Sequence, residues 1–138
     1  MLVPDMTEED RANLVKEALL VSDDDVFKEA LEKAKGIMRL DDKGRLFPKV
    51  TLKDLSNKQK VELYIVSRYL AKLGGLIPDD AVSAREIGAF TGLDKEEVSR
   101  RGSDLRGEGK VDSPKPGSYK FVPGRVLEAL SEIEGKSK

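Results

Sequence analysis

The residues from Ser83 to Val122 read SAREIGAFTGLDKEEVSRRGSDLRGEGKVDSPKPGSYKFV. The spacing predicts two short helices joined by a tight turn, followed by two strands joined by a loop. Ser83 and Glu86 have the spacing of a capping box, in which two side chains satisfy free backbone N–H groups at a helix start. Gly92 stands where a tight turn needs positive φ, and Asp94 can cap the second helix with Glu97 in the reciprocal position. The stretch therefore predicts a helix, a turn and a second helix.

The predicted second helix, residues 94–106, has two chemically different faces. Val98, Gly102 and Leu105 lie at offsets of four and three, so they share the inner face. The opposite face presents Lys95, Ser99, Arg100, Ser103 and Arg106. Arginine binds guanine edges or phosphates, and serine binds base edges or phosphate oxygens. This face is typical of a helix that contacts nucleic acid, although Glu96 lies near the same surface and weakens the case.

Gly102 departs from the expected apolar pattern, because a leucine would be usual at its inward position. The missing side chain leaves room for Phe90, Tyr119 or Phe121, or for a close helix contact. A glycine in a helix interior costs about 1 kcal/mol relative to alanine. Packing is the favoured interpretation, and a functional hinge is the alternative.

A β-hairpin is predicted after this helix, over residues 110–122. SPKPG forms its turn, and the two prolines limit the conformations of the loop. Tyr119 and Phe121 are predicted to point inward, and Lys120 outward. Gly124 to Ile133 then form a last helix, and the tail EGKSK is predicted to fray.

Two helices and another hairpin are predicted before this region. Thr7 and Asp10 have capping-box spacing and start a helix over residues 8–20. The acidic run from Ser22 to Asp25 starts a second helix, because carboxylates stabilise a helix N-terminus, and Gly36 is predicted to end it in a left-handed conformation. Two strands joined by a turn from Asp41 to Gly44 follow. A calcium loop at Asp41 and Asp42 is disfavoured, since further spaced carboxylates are missing.

A long helix is predicted from Ser56 or Asn57 to Leu73. Its apolar residues fall on two sides, so it must be covered from two directions. This pattern predicts a central helix in a single domain, or a dimer that uses the spare face.

The segment Ser83–Val122, together with the preceding helix, resembles the winged helix-turn-helix superfamily, over residues of about 56–134. The resemblance implies a mainly α fold with small β, in which a winged helix-turn-helix is preceded by two helices and a β-hairpin. Residues 1–55 are then an N-terminal part that packs on the core or serves dimerisation, and residues 135–138 are a frayed tail. The wing of DNA-binding members commonly touches the nucleic-acid backbone, so the resemblance implies contacts from Lys115, Lys120 and Arg125. The predicted nucleic-acid-binding residues are Arg85, Lys95, Ser99, Arg100, Ser103, Arg106, Lys115 and Lys120.

The amino-acid composition limits the kinds of catalytic and metal-binding site that the chain can form. Cysteine and histidine are both absent from the 138 residues, which excludes disulfides, thiolate or imidazole metal ligands and histidine acid–base catalysis. No glycine-rich phosphate loop or activated nucleophile is present, and adjacent carboxylates such as Asp79 and Asp80 are expected to be solvated. The sequence therefore predicts a protein that is not an enzyme, with no cofactor and no metal.

Charge is unevenly distributed along the chain. Residues 1–55 contain ten basic and thirteen acidic residues, whereas residues 83–125 contain nine basic and seven acidic ones. Only the second region has an excess of basic residues, so only this region favours binding to a polyanion such as nucleic acid. The whole chain has a net charge of −1. Charged residues make up 37% of the chain, and this bias, with the scarcity of Asn and Gln, favours a thermophilic source. The resemblance to winged helix-turn-helix proteins is accordingly to an archaeal or thermophilic regulator. No apolar run is long enough to span a membrane, so the expected compartment is the cytoplasm.

Two functions remain open from the sequence. The first is a DNA-binding transcription regulator, with helix 94–106 in the major groove of double-stranded DNA and wing 110–122 on the backbone. The second is a protein-interaction or scaffold module that docks on a protein partner without binding DNA. Symmetric DNA binding would require a homodimer. A positive strip joining Arg100, Arg106 and Lys115 would favour nucleic acid, whereas interruption by Glu96 and Glu108 would favour a protein partner.

Overall fold

The computed structural model describes residues 5–19 and 23–136, and within them the protein is mainly helical with two small antiparallel sheets. This confirms the predicted class of mainly α with small β. The elements are α1 (Glu8–Leu19), α2 (Asp23–Ile37), β1 (Met38–Leu40), β2 (Leu46–Pro48), α3 (Asn57–Leu73), β3 (Val82–Ser83), α4 (Ala84–Thr91), α5 (Lys95–Gly107), β4 (Val111–Asp112), β5 (Ser118–Phe121) and α6 (Val126–Lys136). Single turns of 3₁₀ helix precede α3, at Leu52–Asp54, and α6, at Pro123–Arg125.

Helix α1 begins where the capping box predicts. The Asp10 N–H donates to the Thr7 hydroxyl and the Thr7 N–H donates to the Asp10 carboxylate, both at 3.1 Å. Every residue of α1 is exposed. The cap predicted at Ser22, the predicted helix end at residue 20 and the tail residues 137–138 lie outside the described residues.

Helix α2 does not end at Gly36, which was the predicted stop. Gly36 lacks a positive φ, and the helix continues to Ile37, which is 1% exposed. Burial of an isoleucine side chain contributes about 1.5–3 kcal/mol, which exceeds the helix penalty of about 1 kcal/mol for glycine. The chain therefore passes directly from α2 into β1.

The hairpin of β1 and β2 has the predicted turn. Arg39 pairs with Phe47, and the Asp41 carboxylate accepts hydrogen bonds from the backbone N–H groups of Lys43 and Arg45, both at 2.9 Å. It also accepts one from Arg45 Nε at 2.6 Å. These bonds, that of the Arg45 N–H first, hold the pKa of Asp41 below its ordinary value. Asp41 therefore acts as a turn residue.

Helix α3 is the central helix, as its two apolar sides predict. Ser56 and Gln59 form a capping box at its start, and Val61, Leu63, Ile65 and Val66 are all fully buried. It contacts α4, α5 and α6 as well as β1 and β5, so it is covered from more than one direction. Its last residue, Leu73, remains 51% exposed.

The second sheet has the order β3-β5-β4, with all pairs antiparallel. The sequence pattern did not predict β3, because a strand of two residues is too short to show alternation. One hydrophobic core runs from α2 to α6, and these two helices pack on each other. Helix α6 continues through Gly135 to Lys136, beyond the predicted end at Ile133.

None of the helices within residues 5–19 and 23–136 is both long and apolar enough to cross a lipid bilayer.

Candidate nucleic-acid interface

The turn between α4 and α5 fixes the position of α5. Gly92 has φ +77°, and its N–H donates to the Gly88 carbonyl at 2.9 Å. The Leu93 N–H donates to the Thr91 hydroxyl at 3.2 Å. A Cβ on Gly88 would lie 3.0 Å from the Leu93 carbonyl oxygen. The absence of a side chain at Gly88 therefore lets the turn pack closely against α4.

The start of α5 is capped by Asp94, whose carboxylate accepts from the Glu97 N–H at 2.8 Å. The Glu97 carboxylate accepts instead from Asn57 Nδ2 at 2.7 Å, at the first residue of α3. The sequence predicted a local reciprocal bond at Glu97, whereas the structure uses this side chain to join α5 to α3.

The inner face of α5 is buried as predicted, with Val98 and Leu105 both 0% exposed. At Gly102, an added Cβ would lie 2.5 Å from Cε1 and 2.7 Å from Cζ of Tyr119. Tyr119 is thus the side chain that occupies the space left by this glycine. The aromatic ring comes from β5, so the close contact joins α5 directly to the hairpin.

The outer face of α5 is open to solvent. Its five predicted contact residues are all exposed, namely Lys95, Ser99, Arg100, Ser103 and Arg106. Separations of four, four and three residues place Lys95, Ser99, Ser103 and Arg106 along one row of the helix. Its basic side chains Lys95, Arg100 and Arg106 make no ion pair with any other described residue. These cations are therefore available to an external anion.

Arg101 differs from these residues, although it belongs to the same helix. It is half-buried, and its Nε lies 3.4 Å from the Asp104 carboxylate and 3.9 Å from that of Glu97. Both acidic neighbours lie within one turn, so the charge of Arg101 is balanced inside α5.

Arg85 and Lys95 come together on the surface. Both are exposed, and they line a shallow depression of about 640 Å³ together with Ala84, Gly88 and Leu93. The α4 end of the interface thus adds a second cation next to the first turn of α5.

The loop between β4 and β5 is held by internal hydrogen bonds. The Ser113 hydroxyl donates to the Ser118 carbonyl at 2.8 Å, and the Ser118 N–H donates to the Lys115 carbonyl at 3.0 Å. The Lys115 side chain is exposed at the tip, and it has no ion-pair partner in the part of the chain that the structure describes. The loop therefore presents one free cation on a constrained backbone.

Lys120 is placed differently from Lys115. Its Nζ lies 3.6 Å from Oδ1 of Asp80, a carboxylate that is 3% exposed and also lies 3.4 Å from Lys72 Nζ. Asp80 was expected to be solvated, but its carboxylate is buried and lies beside two lysines. Arg125 is also paired, since its Nε lies 2.6 Å from the Glu128 carboxylate.

The two acidic residues that could interrupt the basic surface differ in their surroundings. Glu96 is exposed one turn before Arg100. Glu108 contacts Lys58 Nζ at 2.6 Å and Lys110 Nζ at 3.1 Å, and the hydrogen bond from Lys58 is the main reason why its pKa lies below the ordinary value. The charge of Glu108 is thus balanced, whereas the exposed Glu96 makes no ion pair with another described residue.

A buried charge cluster joins α3, the residue before β4 and α6, and the sequence pattern did not predict it. Lys110 is 1% exposed, and its Nζ lies 3.2 Å from the carboxylate of Glu62, which is 0% exposed. Lys110 also donates to the Glu132 carboxylate on α6. Glu62 stands among the apolar residues of α3, and this position is the signal that could have revealed it.

The cluster changes the protonation of its members. Burial raises the pKa of Glu62 to about 7, against the opposing charge of Lys110. Burial alone would lower the pKa of Lys110, but the hydrogen bond to Glu132 and the charge of Glu62 outweigh it and raise that pKa.

Among the described residues, no group of three or more acidic side chains is arranged to hold a metal ion.

In comparisons with known protein families, curated proteins and solved structures, the chain has no match.

Proposed function

We propose that this protein is a winged helix-turn-helix transcription regulator that binds double-stranded DNA in the cytoplasm. The order α3-β3-α4-α5-β4-β5, with a helix-turn-helix before a hairpin, supports the winged-helix part of the proposal. In such a complex α5 lies in the major groove, and the loop between β4 and β5 lies on the flanking backbone.

One observation carries the proposal, namely the open outer face of α5. Arg100, Arg106 and Lys95 are exposed without an internal counter-ion, and Ser99 and Ser103 lie between them. Guanidinium groups can bind guanine edges or phosphates, and hydroxyls can bind either base edges or phosphates.

The proposal is tested by titrating the protein into labelled mixed-sequence duplex DNA at several salt concentrations and following fluorescence anisotropy. Neutralisation of about four to six phosphates gives a slope of about −4 to −5 for log K against log salt. The variant Arg100→Ala with Arg106→Ala is expected to bind at least about tenfold more weakly and to lower the slope by about two.

A matched control removes the same charge elsewhere. Lys28 on α2 and Lys43 in the first hairpin are exposed, so Lys28→Ala with Lys43→Ala is expected to leave affinity and slope nearly unchanged. Absence of binding at low salt contradicts the proposal, as does binding that the Arg100 and Arg106 substitutions leave unaffected.

The exposed Glu96 favours a second candidate, a winged-helix module that docks on a protein partner without binding DNA. A carboxylate one turn from Arg100 repels phosphate but suits a protein surface of mixed charge, and the net charge of −1 is compatible with such a partner. If this candidate is correct, Glu96→Gln will not create DNA binding. If the protein binds DNA, Glu96→Gln is expected to strengthen that binding.

A further inference from the structure

Helix α1 carries an apolar stripe that faces solvent. Leu14, Val15 and Leu19 are 47%, 56% and 73% exposed, and Ala18 lies between them on the same face. An isolated helix of this length is only marginally stable in water. A surface that covers the stripe would therefore stabilise α1.

The same chain carries an uncovered apolar depression between α2 and α3, which we call the α2–α3 trough. It comprises two adjoining cavities of about 430 and 570 Å³, which share Phe27 and Leu73. Apolar side chains line most of it, including Leu31, which is 39% exposed, and Leu73, which is 51% exposed. Large apolar side chains grouped in this way mark an interaction surface.

The charges of α1 and of the trough are complementary. Helix α1 contains four acidic and two basic residues. Lys35 and Arg39, both basic, line the first cavity of the trough, and the acidic Asp24 lines the second, so the charged lining is net positive. An acidic helix with an apolar stripe therefore matches the trough in apolar surface and in charge. Opposite charges on the two surfaces guide and orient the contact.

We propose that α1 of one chain docks in the α2–α3 trough of a second copy, and that the second copy returns the same contact. A chain that carries both surfaces forms a closed two-fold dimer when each α1 is exchanged, because both stripes and both troughs are then covered. The twelve residues of α1 span about 18 Å. The inference does not depend on DNA binding.

The mass of the full-length chain, measured by sedimentation equilibrium over a range of concentrations, tests the proposal. We expect a dimer that dissociates on dilution. Leu14→Asp on α1 and Leu73→Asp in the trough are each expected to raise the dissociation constant at least about tenfold, because each places a charge where an apolar side chain would be buried. The matched control is Asn13→Asp, on the opposite, exposed face of α1, which is expected to leave the dimer intact.

Cross-linking identifies the occupant of the trough. The natural chain contains no cysteine, so Val15→Cys and Leu31→Cys can be made in separate chains. After mixing and mild oxidation, a disulfide between the two kinds of chain is expected. A monomer at all concentrations overturns the proposal, and so does a dimer that Leu14→Asp and Leu73→Asp leave unchanged. An intrachain disulfide in a monomeric double variant would show that α1 closes on its own trough, which also overturns it.

Discussion

The contact of Gly102 with Tyr119 shows how one missing side chain sets the position of α5. The Tyr119 ring occupies the space in which any larger residue at position 102 would place its Cβ. Tyr119 is itself buried at 7% exposure in β5, so it cannot move aside without disturbing the sheet. Glycine at this position is therefore a packing requirement of the interface between α5 and the hairpin.

We expect Gly102→Ala to lower the free energy of unfolding by up to about 2 kcal/mol. Overpacking a core costs about 1–3 kcal/mol, and the better helix propensity of alanine recovers about 1 kcal/mol at most. Urea denaturation followed by circular dichroism measures the change.

Gly107→Ala provides the control within the same helix. A Cβ there would meet nothing within 4 Å, so this change is expected to leave stability unchanged or to raise it by up to about 1 kcal/mol. In a Tyr119→Leu background, the added methyl at position 102 is expected to cost less. An equal cost of Gly102→Ala in both backgrounds would contradict the packing explanation.

At the scale of elements, the hairpin of β4 and β5 carries two lysines with different surroundings, one in the loop and one in β5. Lys115 is exposed at the tip, whereas Lys120 lies 3.6 Å from the buried Asp80. Under the proposed DNA binding, we expect Lys115→Ala to weaken binding equally for all DNA sequences and to lower the salt slope by about one. Lys120→Ala is expected to have a smaller effect, because Asp80 already offsets part of its charge. The anisotropy titration at several salt concentrations measures both.

A larger loss of affinity for Lys120→Ala than for Lys115→Ala would show that the loop does not contact the backbone through its tip. Lys43→Ala, in the first hairpin, serves as the control for removal of a single exposed lysine.

Local patterns in the sequence predict these elements where one segment decides its own structure. The caps at Thr7, Ser83 and Asp94 and the two faces of α5 depend on spacings of three and four residues, which are visible in the sequence. Gly36 was wrongly predicted as a helix end, because burial of the neighbouring Ile37 depends on contacts beyond the segment. That Arg85 of α4 and Lys95 of α5 line one depression also depends on tertiary structure, so the sequence could propose these residues only one by one.

For the whole molecule, the buried cluster joins three parts of the fold. Glu62 lies on α3, Lys110 directly precedes β4, and Glu132 lies on α6. These three residues are far apart in sequence, so no local pattern predicted that their charges would lie together. Substitution of Glu62, Lys110 or Glu132 is therefore expected to change the free energy of unfolding of the entire core.

The cluster predicts a specific dependence of stability on pH. The pKa of Glu62 is raised to about 7 from its ordinary value of 4.5, so the folded state binds this proton more tightly than the unfolded state. Its contribution to stability is therefore fully present below about pH 4.5 and is lost as pH rises towards about 7 and above. The contribution is on the order of 3 kcal/mol, and chemical denaturation at a series of pH values measures it.

Glu62→Gln is expected to remove this part of the pH dependence and to make the protein more stable than the natural chain at pH 8. The control Glu29→Gln changes an exposed glutamate on α2 and should leave the profile unchanged. Lys110→Met should destabilise the protein by about 3–5 kcal/mol at pH 8, since it leaves Glu62 buried without its cation, and by less at pH 5, where Glu62 is protonated. A pH profile of Glu62→Gln that matches the natural one would disprove the role of Glu62.

The insertion of the Tyr119 ring against Gly102 has one more consequence for the molecule. The ring opposes rolling or sliding of α5 past the hairpin, so we expect the two elements to meet a ligand as one unit. A change of shape during association is then expected in the ligand rather than between α5 and the hairpin. For a DNA duplex, the sites bound most tightly would be those whose base steps bend or twist at the least cost.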